Sequence, residues 1–184
     1  IRIIIQIFNS SITPEVASRY IENDFDYISN LFDDFLRYMY ILIIPIFFAL
    51  LFSIESILKV WLNQEVSIYF EISYFVLAYF FILPIPALAT TILTGMKKVS
   101  LTIKISMIAA ILNLGLSIYL IQEYELRGIL FATVFAELLT ILPIINRFNY
   151  ALNRRHNIFK PLIQTLLVNT PLVLFLVVIF SLVK

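Results

Sequence analysis

Long uncharged apolar runs alternate along this chain with short polar stretches. Tyr38 to Ile54 carries no charge, and its apolar character continues past Glu55 to Leu58. Ile72 to Met96, Ile105 to Gln122 and Pro161 to Val183 are also free of charge, and Gly128 to Asn146 is interrupted only by Glu137. A helix needs about 20 apolar residues to cross the ~30 Å hydrocarbon core of a bilayer, so each run predicts a transmembrane helix. Ile1 to Phe8 is apolar apart from Arg2 and Gln6, and the chain opens on Ile rather than Met. Residues 1–12 are therefore expected to be the end of a further span in a longer protein.

The polar stretch before the first full span has its own period. Thr13 suits an N-cap, Pro14 the first helical position and Glu15 the first turn, so a helix is expected to start there. Val16, Tyr20, Ile21, Phe25, Ile28, Leu31, Phe32 and Phe35 follow at three- and four-residue spacing, with Glu22, Asp24, Asp26, Asp33 and Asp34 between them. This predicts an amphipathic helix over 13–37, packed under the bundle and too acidic to bind anionic lipid. Lys and Arg are retained on the cytoplasmic side of membranes. Arg19, Arg37, Lys97, Lys98, Lys104, Arg147, Arg154, Arg155 and Lys160 fall on one side of the alternating spans, against Lys59, Arg127 and Lys184 on the other. The expected order is thus a truncated helix end at 1–12, a cytoplasmic amphipathic helix at 13–37, and four transmembrane helices within 38–148. A cytoplasmic loop at 149–160 and an additional transmembrane helix at 161–184 complete it. Tyr38, Tyr40, Trp61, Tyr69, Tyr124 and Tyr150 lie near the span boundaries, as an interfacial aromatic belt would.

Composition narrows the chemistry. Of 184 residues, 61% are hydrophobic and 14% charged, with a mean hydropathy of +0.98, far from the roughly one-quarter charged residues of a soluble domain. The fold class is all-α, a polytopic membrane bundle. A net charge of +1 offers no basic field for nucleic acid. With no Cys and one His, thiolate chemistry, disulfides and Cys/His metal sites are set aside. His156 sits among Arg154 and Arg155 without a nucleophile pattern, and Asp33-Asp34 fits the polar face of its helix. No enzyme activity, cofactor or metal is expected.

A few positions break the hydrocarbon monotony. Gly128, Ala132, Ala136 and Thr140 recur every four residues and form a small-residue face for close helix packing. Ser106, Ala110, Asn113 and Ser117 on the preceding span offer the matching face. The short connection between the two spans demands an antiparallel hairpin. Asn113 and Thr133 read either as hydrogen-bonding glue within it or as substrate contacts. An ionisable group near mid-span is costly unless it faces protein or water. Glu137 is therefore either a proton- or cation-coupling group, or contact for a polar substrate, or a neutral structural carboxyl. Pro84 and Pro86, followed by Thr90, Thr91 and Thr94, are the hinge candidates, since proline kinks are tolerated where freed carbonyls are buried or line a cavity.

Leu93-Thr94-Gly95-Met96-Lys97-Lys98, then Ile111-Leu112-Asn113-Leu114-Gly115-Leu116-Ser117, then Arg127-Gly128-Ile129-Leu130-Phe131-Ala132-Thr133-Val134 together resemble the polysaccharide flippases of the multidrug and oligosaccharidyl-lipid exporter superfamily. Thr13-Pro14 and Trp61-Leu62 are similar to that pattern too. Asn63 and Glu125 depart from it, each standing where a Gly is usual, so the turn at Glu125 is expected to differ locally. The resemblance implies the second half of a MATE-like transporter of two six-helix bundles, in the bacterial cytoplasmic (inner) membrane. Its implied substrate is an undecaprenyl-diphosphate-linked oligosaccharide for O-antigen, capsule or exopolysaccharide, and its implied partners are the bilayer and the missing N-terminal bundle. A drug or cation exporter of the same superfamily, a membrane polymerase or acyltransferase, and a non-transporting scaffold are the alternatives.

Overall fold

The computed structural model describes residues 2–62, 67–153 and 159–183, and every element in them is a helix. In chain order these are α1 (Arg2–Ile21), α2 (Phe25–Leu62), α3 (Ser67–Ile82), α4 (Pro84–Gly95), α5 (Val99–Leu152) and α6 (Phe159–Val183). The sequence positions Asn63, Arg154, Arg155 and His156 lie outside the described residues.

The first helix boundary is not where Thr13 and Pro14 announce one. α1 runs through both, with Pro14 inside it. The chain breaks instead at 22–24. Asn23 adopts a left-handed backbone with φ 58°, and the N–H groups of Asp24 and Asn23 return to the carbonyls of Arg19 and Tyr20 at 3.0 and 3.2 Å. This pair of bonds closes a helix C-terminus. Asp24 then caps α2, its Oδ1 accepting the Tyr27 N–H at 3.1 Å, which satisfies one donor of the new helix. From there α2 continues for 38 residues with no joint at Arg37–Tyr38, a rod of about 57 Å. The stretch expected as one amphipathic helix over 13–37 is thus divided, 13–21 ending α1 and 25–37 opening the spanning helix α2. At the other end, helix continues through 149–152, part of the expected loop, before Asn153 turns it with φ 54°.

Burial concentrates at the end of the bundle where these turns lie. Val16 of α1, Ile28, Leu31 and Phe32 of α2, Leu88, Ile92 and Leu93 of α4, and Phe148 and Leu152 of α5 form one buried cluster. The rings of Phe32 and Phe148 meet at 4.4 Å. Ile21, placed on the apolar stripe by its period, is instead 78% exposed, since it is the last residue before the turn. α1 and α4 touch at Gly95, where an added Cβ would lie 2.9 Å from Val16 Cγ1 and 3.1 Å from the Thr13 carbonyl oxygen. The following turn is closed by Lys97 in a left-handed backbone, with Lys98 N–H reaching the Leu93 carbonyl at 2.8 Å. Lys98 Nζ also donates to the Ala151 carbonyl at 3.4 Å and lies 5.7 Å from the Tyr20 ring. The turns at 22–24, 96–98 and 153 therefore share one end.

α5 is two helices. Glu125, at φ 51° and ψ −133°, reverses the chain. Asn113 and Thr133, which would be about 30 Å apart in a straight helix, come within 3.5 Å. Residues 99–124 and 126–152 are thus antiparallel arms. They meet most closely at Gly128, where a Cβ would fall 2.5 Å from the Leu120 carbonyl oxygen. Glu125 is held in a backbone conformation that glycine accepts most readily.

Among the described residues, three segments, Phe25–Trp61, Tyr69–Gly95 and Thr102–Leu152, are long and apolar enough to cross a bilayer, and the last folds back on itself. α6 packs against α2, its described apolar stretch being the shorter Ile163–Val178. This is the organisation of a multi-pass membrane protein.

Two substitutions test the hairpin. Gly128→Ala must push apart two backbones and is expected to lower stability by about 1–3 kcal/mol. Glu125→Gly should raise it by about 1 kcal/mol by removing backbone strain. Thermal unfolding in detergent reads both, and a lowered Tm for Glu125→Gly would contradict the turn geometry.

Candidate functional site

The site is built on a break in a helix. Proline has no N–H, so Pro84 and Pro86 leave the carbonyls of Phe80 and Ile82 without their usual helical donors. The helix is interrupted at Leu83, between α3 and α4, while Leu83 keeps a helical backbone (φ −50°, ψ −36°), its N–H donating to the Tyr79 carbonyl at 3.0 Å and its carbonyl accepting the Ala87 N–H at 3.2 Å. Between the Phe80 and Ile82 carbonyls, that of Phe81 accepts the hydroxyl of Tyr40 at 2.9 Å. Tyr40 is 1% exposed, and its ring lies 5.4 Å from Phe81. Phe47 closes on the same ring at 5.0 Å. α2 thus grips the break. Tyr40 was expected in an interfacial belt, and the structure corrects this: its hydroxyl serves a buried carbonyl, while Tyr38, Trp61, Tyr69, Tyr124 and Tyr150 are exposed.

Beside the break lies a cavity of about 300 Å³. Pro86, Ala87 and Thr90 of α4 form one wall and Tyr79 of α3 its edge; Ser106, Ala109, Ala110 and Asn113 of the first α5 arm face Thr133, Ala136, Glu137 and Thr140 of the second. The residues singled out by sequence divide accordingly. Glu137, Asn113, Thr133, Pro86, Ala136 and Thr140 share the cavity. Pro84 is buried in the break beside it. Gly128 and Ala132 lie off the cavity, in close packing. The four-residue stripe was expected to pack tightly throughout; it does so near the turn, and from Ala136 inward the same face lines open space.

Hydrogen bonding sets what this space can offer. Asn113 Oδ1 accepts from Ser117 Oγ at 3.1 Å on its own arm, and Thr133 Oγ1 of the other arm lies 3.5 Å from it. Thr133 Oγ1 also donates to the Ile129 carbonyl at 2.9 Å, and Thr140 Oγ1 to the Glu137 carbonyl at 2.7 Å. These threonines bend their hydroxyls onto their own helix, as they do where no stronger acceptor competes. The Glu137 side chain is half-buried, and among the described residues no Lys or Arg lines the cavity. A carboxyl so placed is left to meet water, a proton, a cation or a polar ligand. Among the described residues, no group of three or more His, Cys, Asp or Glu could hold a metal ion.

The chain matches no family model, no curated protein and no solved structure. The chemistry of the site rests on its own residues.

Period and residue type had marked Glu137, Asn113, Thr133 and Pro86. Tyr79 was not marked, because it lies in the unbroken run Tyr74-Phe75-Val76-Leu77-Ala78-Tyr79-Phe80-Phe81, where no polar contrast distinguishes a face. Ala87 and Ala109 carry no mark of their own for the same reason.

Tyr40→Phe keeps the ring and removes the bond to Phe81. It is expected to lower stability by about 1 kcal/mol, read as a lower Tm in detergent. An unchanged Tm would mean that the Phe81 carbonyl does not depend on Tyr40.

Proposed function

We propose that this chain is the C-terminal half of a membrane flippase that moves an undecaprenyl-diphosphate-linked oligosaccharide across the bacterial cytoplasmic membrane. The complete protein would have two MATE-like bundles that rock about a central polar space, while the lipid tail stays in the bilayer. The observation that carries this reading is the shared cavity. A carboxyl, an amide and a set of hydroxyls from opposed arms line one space, and its third wall is a proline-broken helix. The resemblance of the Gly95–Lys97, Asn113 and Gly128–Thr133 segments to the flippase pattern supports the substrate. Because no basic residue among the described ones lines this cavity, the diphosphate would be met by the N-terminal bundle, and Glu137 would serve coupling.

One feature favours a second reading. A carboxylate in a cavity of about 300 Å³ suits a small organic cation, at the lower end of the size range for ligand pockets. A drug or cation exporter of the same superfamily would use Glu137 as the cation's direct partner.

Vesicles containing the intact protein separate these. Glu137→Gln should slow flipping of a fluorescent lipid-linked oligosaccharide about tenfold or more, the worth of one hydrogen bond to a charged group, and flatten its pH profile. Unchanged rate and pH profile would end the coupling role. Efflux of an organic cation that lipid-linked oligosaccharide does not inhibit would favour the exporter.

A further inference from the structure

The α5 hairpin holds a second cavity, of about 110 Å³, lined among the described residues by its two arms alone. Ile108 and Leu112 come from the first arm, Leu139 and Pro143 from the second, while Ala109 and Thr140 line both this cavity and the polar one. The two spaces are neighbours, and they differ in kind. Ile108, Leu112, Leu139 and Pro143 are all exposed, so this one is a groove at the apolar surface, where a spanning helix meets lipid. The sequence carries each wall one turn further. Lys104, Ile108 and Leu112 follow one another at four-residue steps, as do Leu139, Pro143 and Arg147, and residues so spaced share a helix face. Because the arms are antiparallel, both stripes reach their cation at the end away from the Glu125 turn. Asn113 and Thr133 come within 3.5 Å, a register that sets Lys104 about level with Pro143 and Arg147 about one turn beyond. Lys104 and Arg147 are both exposed.

We propose that this groove is a binding site for an anionic phospholipid, with one acyl chain lying between the arms and the phosphate held by Lys104 and Arg147. Charge complementarity selects this occupant. A zwitterionic lipid would use the apolar part of the site alone, whereas basic residues at the end of an apolar cleft between spanning helices suit a negative head group. Each such cation raises the occupancy of an anionic lipid about fivefold. A chain seated there packs on Ala109 and Thr140, the residues the groove shares with the polar cavity. Glu137 takes no part, so the site stands apart from the transport reading.

The test places the intact protein in phosphatidylcholine vesicles with a trace of phosphatidylglycerol carrying a diazirine in one acyl chain, and maps the photo-adducts by peptide mass spectrometry. The same diazirine chain on phosphatidylcholine measures ordinary lipid contact. Met107 and Ile111, exposed on the same arm and outside the groove, give the background at the same depth. Phosphatidylglycerol should mark Ile108, Leu112 or Leu139 about tenfold or more above phosphatidylcholine, and Lys104→Gln or Arg147→Gln should each lower that excess about fivefold. Lys104→Arg, which keeps the charge, should retain it. Leu139→Trp, which fills the groove and leaves both cations in place, should remove the adducts at Ile108 and Leu112. Equal marking by the two lipids, an excess that survives both Gln substitutions together, or an equal excess at Met107 and Ile111 overturns the site. The readout does not use transport. A flipping rate indifferent to Glu137→Gln would leave the lipid site standing, and loss of the lipid site would leave the coupling role untouched.

Discussion

Everything in this bundle accommodates one constraint: backbone carbonyls freed by proline inside an apolar helix must find a donor or face a polar space. The Pro84-Ile85-Pro86 segment creates the problem, and the fold meets it in two ways. A buried tyrosine from α2 bonds the Phe81 carbonyl, between the freed carbonyls of Phe80 and Ile82, and a cavity opens beside the segment, between α4 and the α5 hairpin. The first ties α2 to the break, and the second fixes where polar side chains are tolerated at this depth. Asn113, Thr133 and Glu137 sit where the hydrocarbon interior is already interrupted.

The α5 hairpin depends on its turn for the same economy. Gly128 lets the two arms approach to backbone contact beside the turn, and residues farther inward can then diverge around open space. A single small-residue period therefore yields two environments. Near the turn it gives van der Waals packing, the main attraction between helices in lipid. Towards the middle it leaves room for ligands or water.

Much of this was legible in the sequence, and the reasons are physical. Uncharged runs of about 20 residues have few alternatives to spanning helices. The small-residue faces of Ser106–Ser117 and Gly128–Thr140, joined by a short connection, could hardly do other than pair. Glu137 stood out because charge inside hydrocarbon is rare. The first helix boundary was not legible, because Thr13-Pro14 has the local form of a helix start while Asn23-Asp24 works as a pair across two helices, one residue ending α1 and the next capping α2. Tyr40 was misplaced because an aromatic near a span end has two uses, anchoring at the interface or reaching inward with its hydroxyl, and only the position of the proline break decides between them. The backbone of Glu125 was hidden for the opposite reason: Glu carries no sign of the conformation it is made to adopt.

α2 has a further consequence. It runs as one helix, with Pro45 inside it, from the buried cluster at its first turns to the exposed Val60 and Trp61 at its far end. A continuous rod of about 57 Å converts a tilt of about 10° into a displacement of about 10 Å at its tip. Helices tilt to match the thickness of the hydrocarbon around them. Since the same helix holds Tyr40 against the Phe81 carbonyl, a change in its tilt is passed to the proline-interrupted segment beside the cavity.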